Sequence, residues 1–399
     1  SRAGRSPGPA ALLMAAAFPR DVADIRDAVA SAAASGRKLE IAGSGGKRRF
    51  GNPNRQAETL PMAGFARTID YDPAELVLTV EPGARLVDLE TLLGRHNQML
   101  AFEPYDFPPL SGEAGRSTIG GVVAAGLAGS RRVSAGGVRD HLLGFSAING
   151  RGEAFKAGGK VVKNVTGYDL PKLMAGSWGT LAVLVELTLK VLPRPPVART
   201  LVLRGLSSEA AVDAMTRAMG SQAEVAAASY LPASALTAIR IEGFGPSVEA
   251  REKMLRRVLG DAGRIDVLDI EEASSHWAAI RSGAALQVNN GPVLWRIVAP
   301  PSHGARLVSG IHALNGAALL DWAGGLCWAR TPLETSAEAV RRLAEGAAGH
   351  ATLVDAPDDM RATTPALHPE PAPLAALSKR VRAAFDPAGV FDTGRFAAS

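Results

Sequence analysis

Three glycine-rich segments in the first half of the chain are the residues best suited to binding a ligand. The first is Gly43-Ser44-Gly45-Gly46-Lys47, and the others are residues 117–129 and 176–181. Successive backbone N–H groups in a glycine turn form a concave anion site, and no side chain blocks the approach of a phosphate. Tight packing between loop and sheet could explain each segment alone. The three together favour a flat or extended ligand that lies against the backbone.

The first glycine loop does not match two common nucleotide-binding motifs. A P-loop would need glycine in place of Ile41 and a serine or threonine in place of Arg48. A Rossmann fingerprint would need its third glycine where Arg48 stands. Taken alone, the loop is equally consistent with a plain glycine turn, so other residues must decide which ligand binds.

Composition limits the classes of function that remain. The chain has 399 residues, 47% of them hydrophobic and 21% charged, which is typical of two or three globular units with buried cores. The net charge is +5, and Arg131, Arg132 and Arg139 cluster without interleaved aromatic residues. This pattern does not favour nucleic-acid binding, whereas attraction to an anionic substrate or an acidic partner fits it.

Cysteine and histidine usage argues against metal centres in this chain. The one cysteine, Cys327, cannot form an internal disulfide or an iron–sulfur cluster, and it is expected to be a buried apolar residue. The histidines closest in sequence, His303 and His312, are nine residues apart, so no short chelate is expected. Low cysteine content favours a cytoplasmic chain, and no apolar run reaches the roughly 20 residues that span a bilayer.

The elements that must position the glycine segments are helices and strands with a clear boundary after them. Pro193-Arg194-Pro195-Pro196 ends a long apolar run and marks the boundary between two domains. The pattern predicts helices at 19–36, 86–93, 209–219, 247–259 and 374–385, and strands at 38–42, 76–80, 142–148, 180–192 and 294–298.

The predicted domain organisation follows from these elements. We expect a disordered lead at 1–11, a ligand-binding domain at 12–196 with subdomains at about 12–70 and 71–196, and an α+β cap at 197–346. Residues 347–399 form a C-terminal segment. The apolar run 10–18 after Arg2 and Arg5 mimics a short signal peptide, but Pro19 is well placed to begin a helix, which favours a folded segment.

Several motifs, in order along nearly the whole chain, resemble the FAD-linked oxidase superfamily of the vanillyl-alcohol-oxidase or PCMH type. The matching segments are 41–46, 118–121, 137–140, 163–170, 176–181, 385–391 and 394–395. Within this superfamily, 321–325, 349–353 and the ending are most similar to the FAD-binding E subunits of bacterial glycolate oxidases. The resemblance implies an α+β fold, with a two-subdomain PCMH-type FAD-binding domain, an α+β cap and a tail that returns to the flavin domain.

The same resemblance implies where FAD binds. The pyrophosphate is expected on Gly43–Lys47, the adenosine and ribityl parts along Thr118–Gly126 and Gly137–Val138, and the isoalloxazine near Gly176–Thr180 and the tail. Many relatives tether FAD through a histidine where Gly46 and Lys47 stand here, so the FAD is expected to be noncovalent. The residues assigned to FAD binding are Gly43, Ser44, Gly45, Gly46, Lys47, Thr118, Ile119, Gly120, Gly121, Ala125, Gly126, Gly137, Val138, Gly176, Ser177, Gly179, Thr180 and Arg395.

The sequence departs from its catalytic relatives in two places. Their histidine-rich metal motif is missing from it, and Val162 stands where related 2-hydroxyacid dehydrogenases carry an arginine for the substrate carboxylate. Lys163 is the best remaining anion contact. Oxidation of a 2-hydroxy acid also needs a base, for which His141, His350 and His368 are candidates, although a lone histidine is more often structural. Tyr168 and Asp169 are expected to brace the loop, and no catalytic residue is assigned.

Three hypotheses follow. In the first, the chain is the FAD-binding subunit of a complex that oxidises glycolate to glyoxylate, with little or no substrate chemistry of its own. Without a cysteine cluster, reduced FAD must pass its electrons to oxygen, a soluble acceptor or another subunit. The resemblance implies a catalytic flavin subunit and an iron–sulfur subunit, through which the cytoplasmic chain could meet the inner face of the membrane. In the second, it is a self-sufficient D-2-hydroxyacid dehydrogenase. In the third, it is a scaffold that has lost FAD, since Arg48, Arg49 and Trp178 are large.

Overall fold

The chain folds into an N-terminal domain and a cap, both built from helices and sheets, so the predicted α+β class is confirmed. The structure is a computed structural model that describes residues 18–53, 56–105, 117–159, 168–286 and 291–396. The predicted lead at 1–11, Val162 and Lys163 lie outside these ranges.

The first glycine loop extends from a small parallel sheet covered by one helix. Helix α1 (Val22–Ser35) begins where the Asp21 carboxylate accepts a hydrogen bond from the Asp24 backbone N–H at 2.9 Å. It ends at Gly36, whose φ of +69° suits glycine. The buried face of α1 packs beside strands β1 (Leu39–Ala42) and β2 (Glu58–Pro61), which pair in parallel. This packing fixes where β1 stops and the loop begins.

The rest of the N-terminal domain is a five-stranded antiparallel sheet with short helices, in the order β3-β4-β8-β6-β7. Its central strand β8 is almost wholly buried, which explains the long apolar run in the sequence. The strands are β3 (Thr68–Asp72), β4 (Val77–Val80), β5 (Gln98–Met99), β6 (Leu142–Asn149), β7 (Ala154–Gly158), β8 (Ala182–Lys190) and β9 (Leu192–Pro193), of which β5 and β9 form a separate pair. The helices are α2 (Leu86–Gly94), α3 (Ile119–Ala125), α4 (Arg132–Ala135), α5 (Val138–His141) and α6 (Leu170–Met174).

Helix α3 lies in the second glycine-rich segment, whose sequence shows no helical periodicity throughout. Thr118 caps the helix, and its hydroxyl accepts a hydrogen bond from the Gly121 backbone N–H at 3.4 Å. Ile119, Val122 and Val123 are buried in the domain core, and Gly126 ends the helix with φ +65°. Tertiary burial therefore outweighs the low helix propensity of its two glycines.

The cap is an eight-stranded antiparallel sheet in the order β13-β10-β12-β11-β15-β16-β14-β17. Its strands are β10 (Val197–Arg204), β11 (Val225–Leu231), β12 (Leu236–Gly243), β13 (Ile265–Val267), β14 (Val293–Val298), β15 (Ala317–Asp321), β16 (Leu326–Thr331) and β17 (His350–Asp355). Four helices cover its outer face: α7 (Ser208–Met219), α8 (Gly245–Val258), α10 (Gly304–Ala313) and α11 (Ala337–Gly346).

The inner face of the cap packs against the N-terminal domain. Helix α9 (Ile270–Ser282) lies on this face, although the sequence predicted helices on one face only. Strand β17 pairs with β14, so the sheet continues past residue 346, where the sequence-based boundary was drawn.

The C-terminal segment returns to the N-terminal domain after helices α12 (Asp358–Thr363) and α13 (Ala372–Phe385). Val390 and Phe391 pack in the core beside α1 and β1, and the Leu39 backbone N–H donates to the Val390 carbonyl at 2.8 Å. This return brings the last residues of the described chain next to the first glycine loop.

Candidate functional site, a glycine-lined cleft

A cleft that is open to solvent lies between the first glycine loop, the start of α3 and the buried strand β8. The cleft is lined by Glu40, Ile41, Ala42, Gly43, Ser44, Gly45, Gly46, Lys47, Arg48, Met62, Pro82, Thr118, Gly120, Gly121, Ala124, Trp178, Gly179, Ala182, Leu184 and Arg395.

The first glycine loop is held so close to Thr118 that only glycine fits. A Cβ atom built on Gly43 would lie 2.3 Å from the Thr118 hydroxyl oxygen. Gly45 has φ +78°, a conformation that side chains disfavour. The loop therefore presents bare backbone to the cleft, which suits contact with phosphate oxygens.

The second glycine segment forms the opposite wall. A Cβ atom on Gly120 would lie 2.5 Å from the Pro82 side chain, so this glycine lets α3 approach the loop after β4. Gly121 is different, because the added Cβ would meet the Thr118 hydroxyl at 3.3 Å and the Lys47 ammonium nitrogen at 3.7 Å. The Lys47 side chain thus crosses the cleft toward α3 and brings a positive charge to both walls.

The third glycine segment closes one end of the cleft. The Gly176 and Trp178 backbone N–H groups donate to the Val123 and Ala124 carbonyls at 3.0 and 2.8 Å, which ties the segment to α3. Trp178 has φ +55°, and its ring stacks on Phe50 with centroids 4.1 Å apart. A non-glycine residue held in this conformation is typical of a functional or tightly packed site.

Arg395 joins the C-terminal tail to the first loop. Its guanidinium donates to the Phe50 carbonyl at 2.8 Å and to the Lys47 carbonyl, and it lies 5.3 Å from the centre of the Trp178 ring. The Asn52 backbone N–H donates in return to the Arg395 carbonyl at 2.9 Å. The tail therefore forms part of the cleft through Arg395.

The two arginines after the glycine loop are held by other side chains. Arg48 lines the cleft and donates to the Thr59 hydroxyl at 2.8 Å, whereas Arg49 pairs with Asp355 at the end of β17 at 3.0 Å. Their size, which motivated the hypothesis of a lost cofactor, does not fill the cleft between Gly43 and Gly121.

Ten of the residues assigned to FAD binding line this cleft, and the others lie around it. Those in the cleft are Gly43, Ser44, Gly45, Gly46, Lys47, Thr118, Gly120, Gly121, Gly179 and Arg395. Thr180 lines a second opening beside α13. Ile119, Ala125 and Val138 are buried side chains of the N-terminal domain, Gly126 touches the Gly176 backbone, and Gly137 packs near Ala128 and Arg132. Ser177 accepts from Thr180 at 2.7 Å through its carbonyl.

Sequence reasoning missed the apolar lining of the cleft. Met62 directly follows β2, Pro82 lies in the turn after β4, and Ala182 and Leu184 belong to β8. The alternation of Ala182 and Leu184 along β8 is a signal that they share one face of the strand. Nothing in the sequence shows which face meets the loop.

The three histidines considered as bases lie away from the cleft. His141 is buried in the N-terminal domain, and its Nε2 atom contacts the Ala135 carbonyl at 2.8 Å. His350 and His368 lie together at the edge of the cap sheet, where the His368 Nδ1 atom accepts from the Ala351 backbone N–H at 3.3 Å. The described lining of the cleft thus contains no histidine.

The remaining candidates are also structural in their contacts. Tyr168 is 90% exposed, and Asp169 pairs with Lys172 at 2.7 Å on the surface of α6. Cys327 is fully buried in the cap, as predicted, and burial raises the pKa of its thiol to about 12.

One buried acid lies where the cap meets the N-terminal domain. Asp321 accepts hydrogen bonds from the Ser130 hydroxyl and the Trp322 backbone N–H, both at 2.8 Å. Burial raises the pKa of its carboxyl to about 7, and these two hydrogen bonds oppose the rise. Asp321 therefore links the domains and has no exposed surface for a substrate.

The comparisons with known proteins agree with this geometry. A family model described as FAD binding domain matches residues 14–158. Glycolate oxidase subunit GlcE of Escherichia coli is 36% identical over 357 residues, which cover 90% of this chain and 92% of that protein. The chain belongs to the glycolate oxidase subunit GlcE family. It is thus an FAD-linked oxidoreductase of the superfamily that the sequence motifs indicated.

More distant relatives establish the architecture. Glycolate oxidase subunit GlcD of Bacillus subtilis is 26% identical over 239 residues, covering 56% of this chain and 49% of that protein. The crystal structure of p-cresol methylhydroxylase superposes with a TM-score of 0.68 at 14% identity, covering 96% of this chain and 88% of that one. The PCMH-type fold is therefore confirmed.

The cleft fits the FAD that this family binds. Bare backbone at Gly43–Gly46, the Lys47 ammonium and an apolar wall from β8 suit the anionic and flat parts of such a cofactor. Within the described residues, no group of three acidic, histidine or cysteine side chains could hold a metal ion. No helix in the described part of the chain is long and apolar enough to cross a membrane.

Proposed function

We propose that this chain is the FAD-binding subunit of a glycolate oxidase complex that oxidises glycolate to glyoxylate, with little or no substrate chemistry of its own. The observation that carries the proposal is the contrast within one cleft. Its walls suit FAD, while the histidines that could act as a base lie elsewhere in the described structure. A 2-hydroxy acid needs a base near its hydroxyl to be oxidised.

The residues that would hold FAD follow from the geometry and the family pattern. Gly43–Lys47 would take the pyrophosphate, with Lys47 supplying charge. Thr118–Gly126, with Gly137 and Val138, would take the adenosine and ribityl parts. Gly176–Thr180 and Arg395 would lie near the isoalloxazine. Without a histidine in the first loop, the FAD would be noncovalent. Bound FAD accepts a pair of electrons and passes them on.

The chain's own contribution would be to position the bound FAD and to enclose it on one side. The stack of Trp178 on Phe50, with Phe396 and Arg395 beside it, closes the end of the cleft toward the cap. Excluding water from this end would protect bound flavin and its electrons. The domain division supports the same assignment, with a flavin domain at 12–196, a cap from 197 to the end of β17, and a tail that returns to the flavin.

Partners are needed because electrons must leave the flavin. A single buried cysteine cannot hold an iron–sulfur cluster. The names of the relatives support a glycolate oxidase of several subunits, and the family pattern suggests that these partners are a catalytic flavin subunit and an iron–sulfur subunit. A cytoplasmic chain would then reach the inner membrane face through these partners. The substrate of the complex would be a small 2-hydroxy acid.

Flavin content tests the proposal. The purified chain should be yellow and carry close to one FAD per chain, and acid precipitation should release the FAD into the supernatant. Colourless protein that takes up no added FAD would favour the scaffold hypothesis. Flavin that stays with the acid precipitate would show a covalent link and contradict the noncovalent assignment.

A further inference from the structure

Two contacts between tryptophan and arginine lie on the inner face of the cap, and they differ in their charge balance. In the first, the Arg240 guanidinium carbon lies 4.6 Å from the centre of the Trp277 ring. Arg240 also pairs with Glu103 at 2.7 Å and with Glu242 at 3.1 Å. Its charge is therefore balanced within the protein.

In the second contact, two arginines meet one ring. The guanidinium carbons of Arg132 and Arg296 lie 4.4 and 5.2 Å from the centre of the Trp322 ring. Among the residues that the structure describes, neither arginine pairs with an acid, and the buried Nε atom of Arg296 has no acceptor. No carboxylate of the described part of the chain therefore balances these two positive charges.

The Trp322 ring that both arginines contact is held firmly at the domain boundary. The Trp322 indole N–H donates to the Gly129 carbonyl at 2.9 Å, and its backbone N–H donates to Asp321. Arg132 belongs to α4 of the N-terminal domain, while Arg296 belongs to β14 of the cap. A ligand that contacts both arginines would bridge the two domains.

The arrangement is costly without a counter-ion. Burial and the nearby Arg132 lower the pKa of the Arg296 guanidinium to about 10. A largely buried, unpaired charge is unfavourable, and it is stabilised when an anion binds. Asp321 does not serve, because its oxygens already accept hydrogen bonds from Ser130 and Trp322.

We propose that Arg132 and Arg296 form a carboxylate-binding site around Trp322 that takes a small aliphatic acid. A planar guanidinium matches a carboxylate with two parallel hydrogen bonds. Trp328 and Thr352 flank Arg296 in register on the neighbouring strands, so an indole and a hydroxyl share its face of the sheet. The charge of the ligand follows from the arginines, whereas its small size rests on the proposed function.

Arg132 is exposed and Arg296 is largely buried, so an acid can enter past Arg132 and pair with Arg296. His350 lies two residues from Thr352 on the same strand, and burial together with the charges of Arg296 and His368 lowers the pKa of its imidazole. Because His350 does not line the cleft that suits FAD, the chain would bind the acid without oxidising it.

Equilibrium dialysis of the full chain against radiolabelled glycolate tests the site. The wild type should bind one glycolate per chain, and ethylene glycol, which lacks the carboxylate, should not compete. Arg296→Gln should raise the Kd about 30-fold or more, and Arg132→Gln about tenfold. Arg296→Lys should recover only part of the glycolate affinity lost in Arg296→Gln, because lysine keeps the positive charge but lacks the two parallel N–H donors of a guanidinium.

Arg139→Gln is the matched control, since Arg139 is exposed on the neighbouring α5 and its loss changes the net charge equally. It should leave the Kd unchanged. Equal binding in the wild type and Arg296→Gln, or equal competition by sulfate, would overturn the proposal. FAD is counted in the same samples, so a chain without FAD that binds glycolate would refute the proposed function and leave this site standing. Circular dichroism excludes variants that do not fold.

Discussion

The cleft of the N-terminal domain and the inner face of the cap differ in the kinds of residue that line them. The cleft is bordered by bare glycine backbone and an apolar wall, and Lys47 and Arg395 bring positive charge to it. The inner face of the cap is packed with large rings, including Trp277, Trp322 and Trp328, and with charged groups. The first region leaves an open cleft for a cofactor, whereas the second presents arginines beside rings and offers no glycine loop to a phosphate. The comparison separates flavin binding from substrate oxidation.

The largest effect is expected from closing the cleft. In Gly43→Val, the new side chain would overlap the Thr118 hydroxyl, which lies 2.3 Å from the position of a Cβ atom. The loop must move away from α3, and FAD affinity should fall by about 1000-fold or more, roughly 4 kcal/mol. Fluorescence titration with FAD measures the loss.

Gly94→Ala is the control for this substitution, because no atom lies within 4 Å of its added Cβ. It should bind FAD like the wild type. Full FAD occupancy in Gly43→Val would contradict the assignment of the cleft.

Asp321, the buried acid at the domain boundary, should make the free energy of unfolding depend on pH. The folded pKa of Asp321 is about 7 and its usual value is 3.8, so folding takes up a proton between these values. The stabilisation is complete below pH 4 and is lost as the pH rises through 7, by about 2–4 kcal/mol. Asp321→Asn should therefore flatten the fall in the free energy of unfolding between pH 5 and 7.5, measured by urea denaturation.

Asp27→Asn, an exposed acid on α1, should keep the wild-type slope in the same experiment. An identical slope in Asp321→Asn would show that this carboxyl is ionised throughout, and the raised pKa assigned to Asp321 would be wrong.

A smaller effect is expected from the charge in the cleft. Lys47→Gln keeps a polar side chain near Gly121 but removes the ammonium, and FAD affinity should fall about tenfold. Raising the salt concentration should weaken wild-type binding more than binding by the variant. Lys253→Gln, on the exposed face of α8, should change neither quantity. Unchanged affinity in Lys47→Gln would remove the phosphate contact from the proposal.

The smallest effect concerns a residue that the sequence assigns to FAD but that lies outside the lining of the cleft. An added Cβ on Gly137 would meet its nearest atoms at 3.7 Å, so Gly137→Ala should fold normally. If the adenosine part of FAD passes Gly137, affinity should fall about threefold, less than 1 kcal/mol. Isothermal titration calorimetry measures the FAD affinity of the variant. An unchanged affinity would indicate that FAD contacts only the residues that line the cleft.

Local signals predicted much of the fold and the first wall of the site. Gly36 marks the end of α1 as predicted, whereas the helix begins at Val22 after the Asp21 cap and not at Pro19, and strand β1 leads into the glycine loop as its sequence indicates. The family motifs added the PCMH-type architecture, which no local pattern specifies. They also predicted that the C-terminal tail returns to the N-terminal domain.

The parts that could not be predicted depend on distant contacts. Helix α3 is stabilised by burial of Ile119 and Val123, which the glycines beside them conceal in the sequence. The grouping of Arg132, Arg296 and Trp322 joins three segments that are far apart in the chain. The spacing of these residues along the sequence does not indicate that they are in contact in the fold.

The central claim is tested most directly by adding glycolate to the purified, FAD-loaded chain without oxygen and recording the flavin absorbance. The account predicts that the flavin of the chain alone stays oxidised, that dithionite bleaches it, and that glycolate reduces flavin only when the partner subunits are present. Bleaching of the isolated chain by glycolate at the rate of the complex would contradict it.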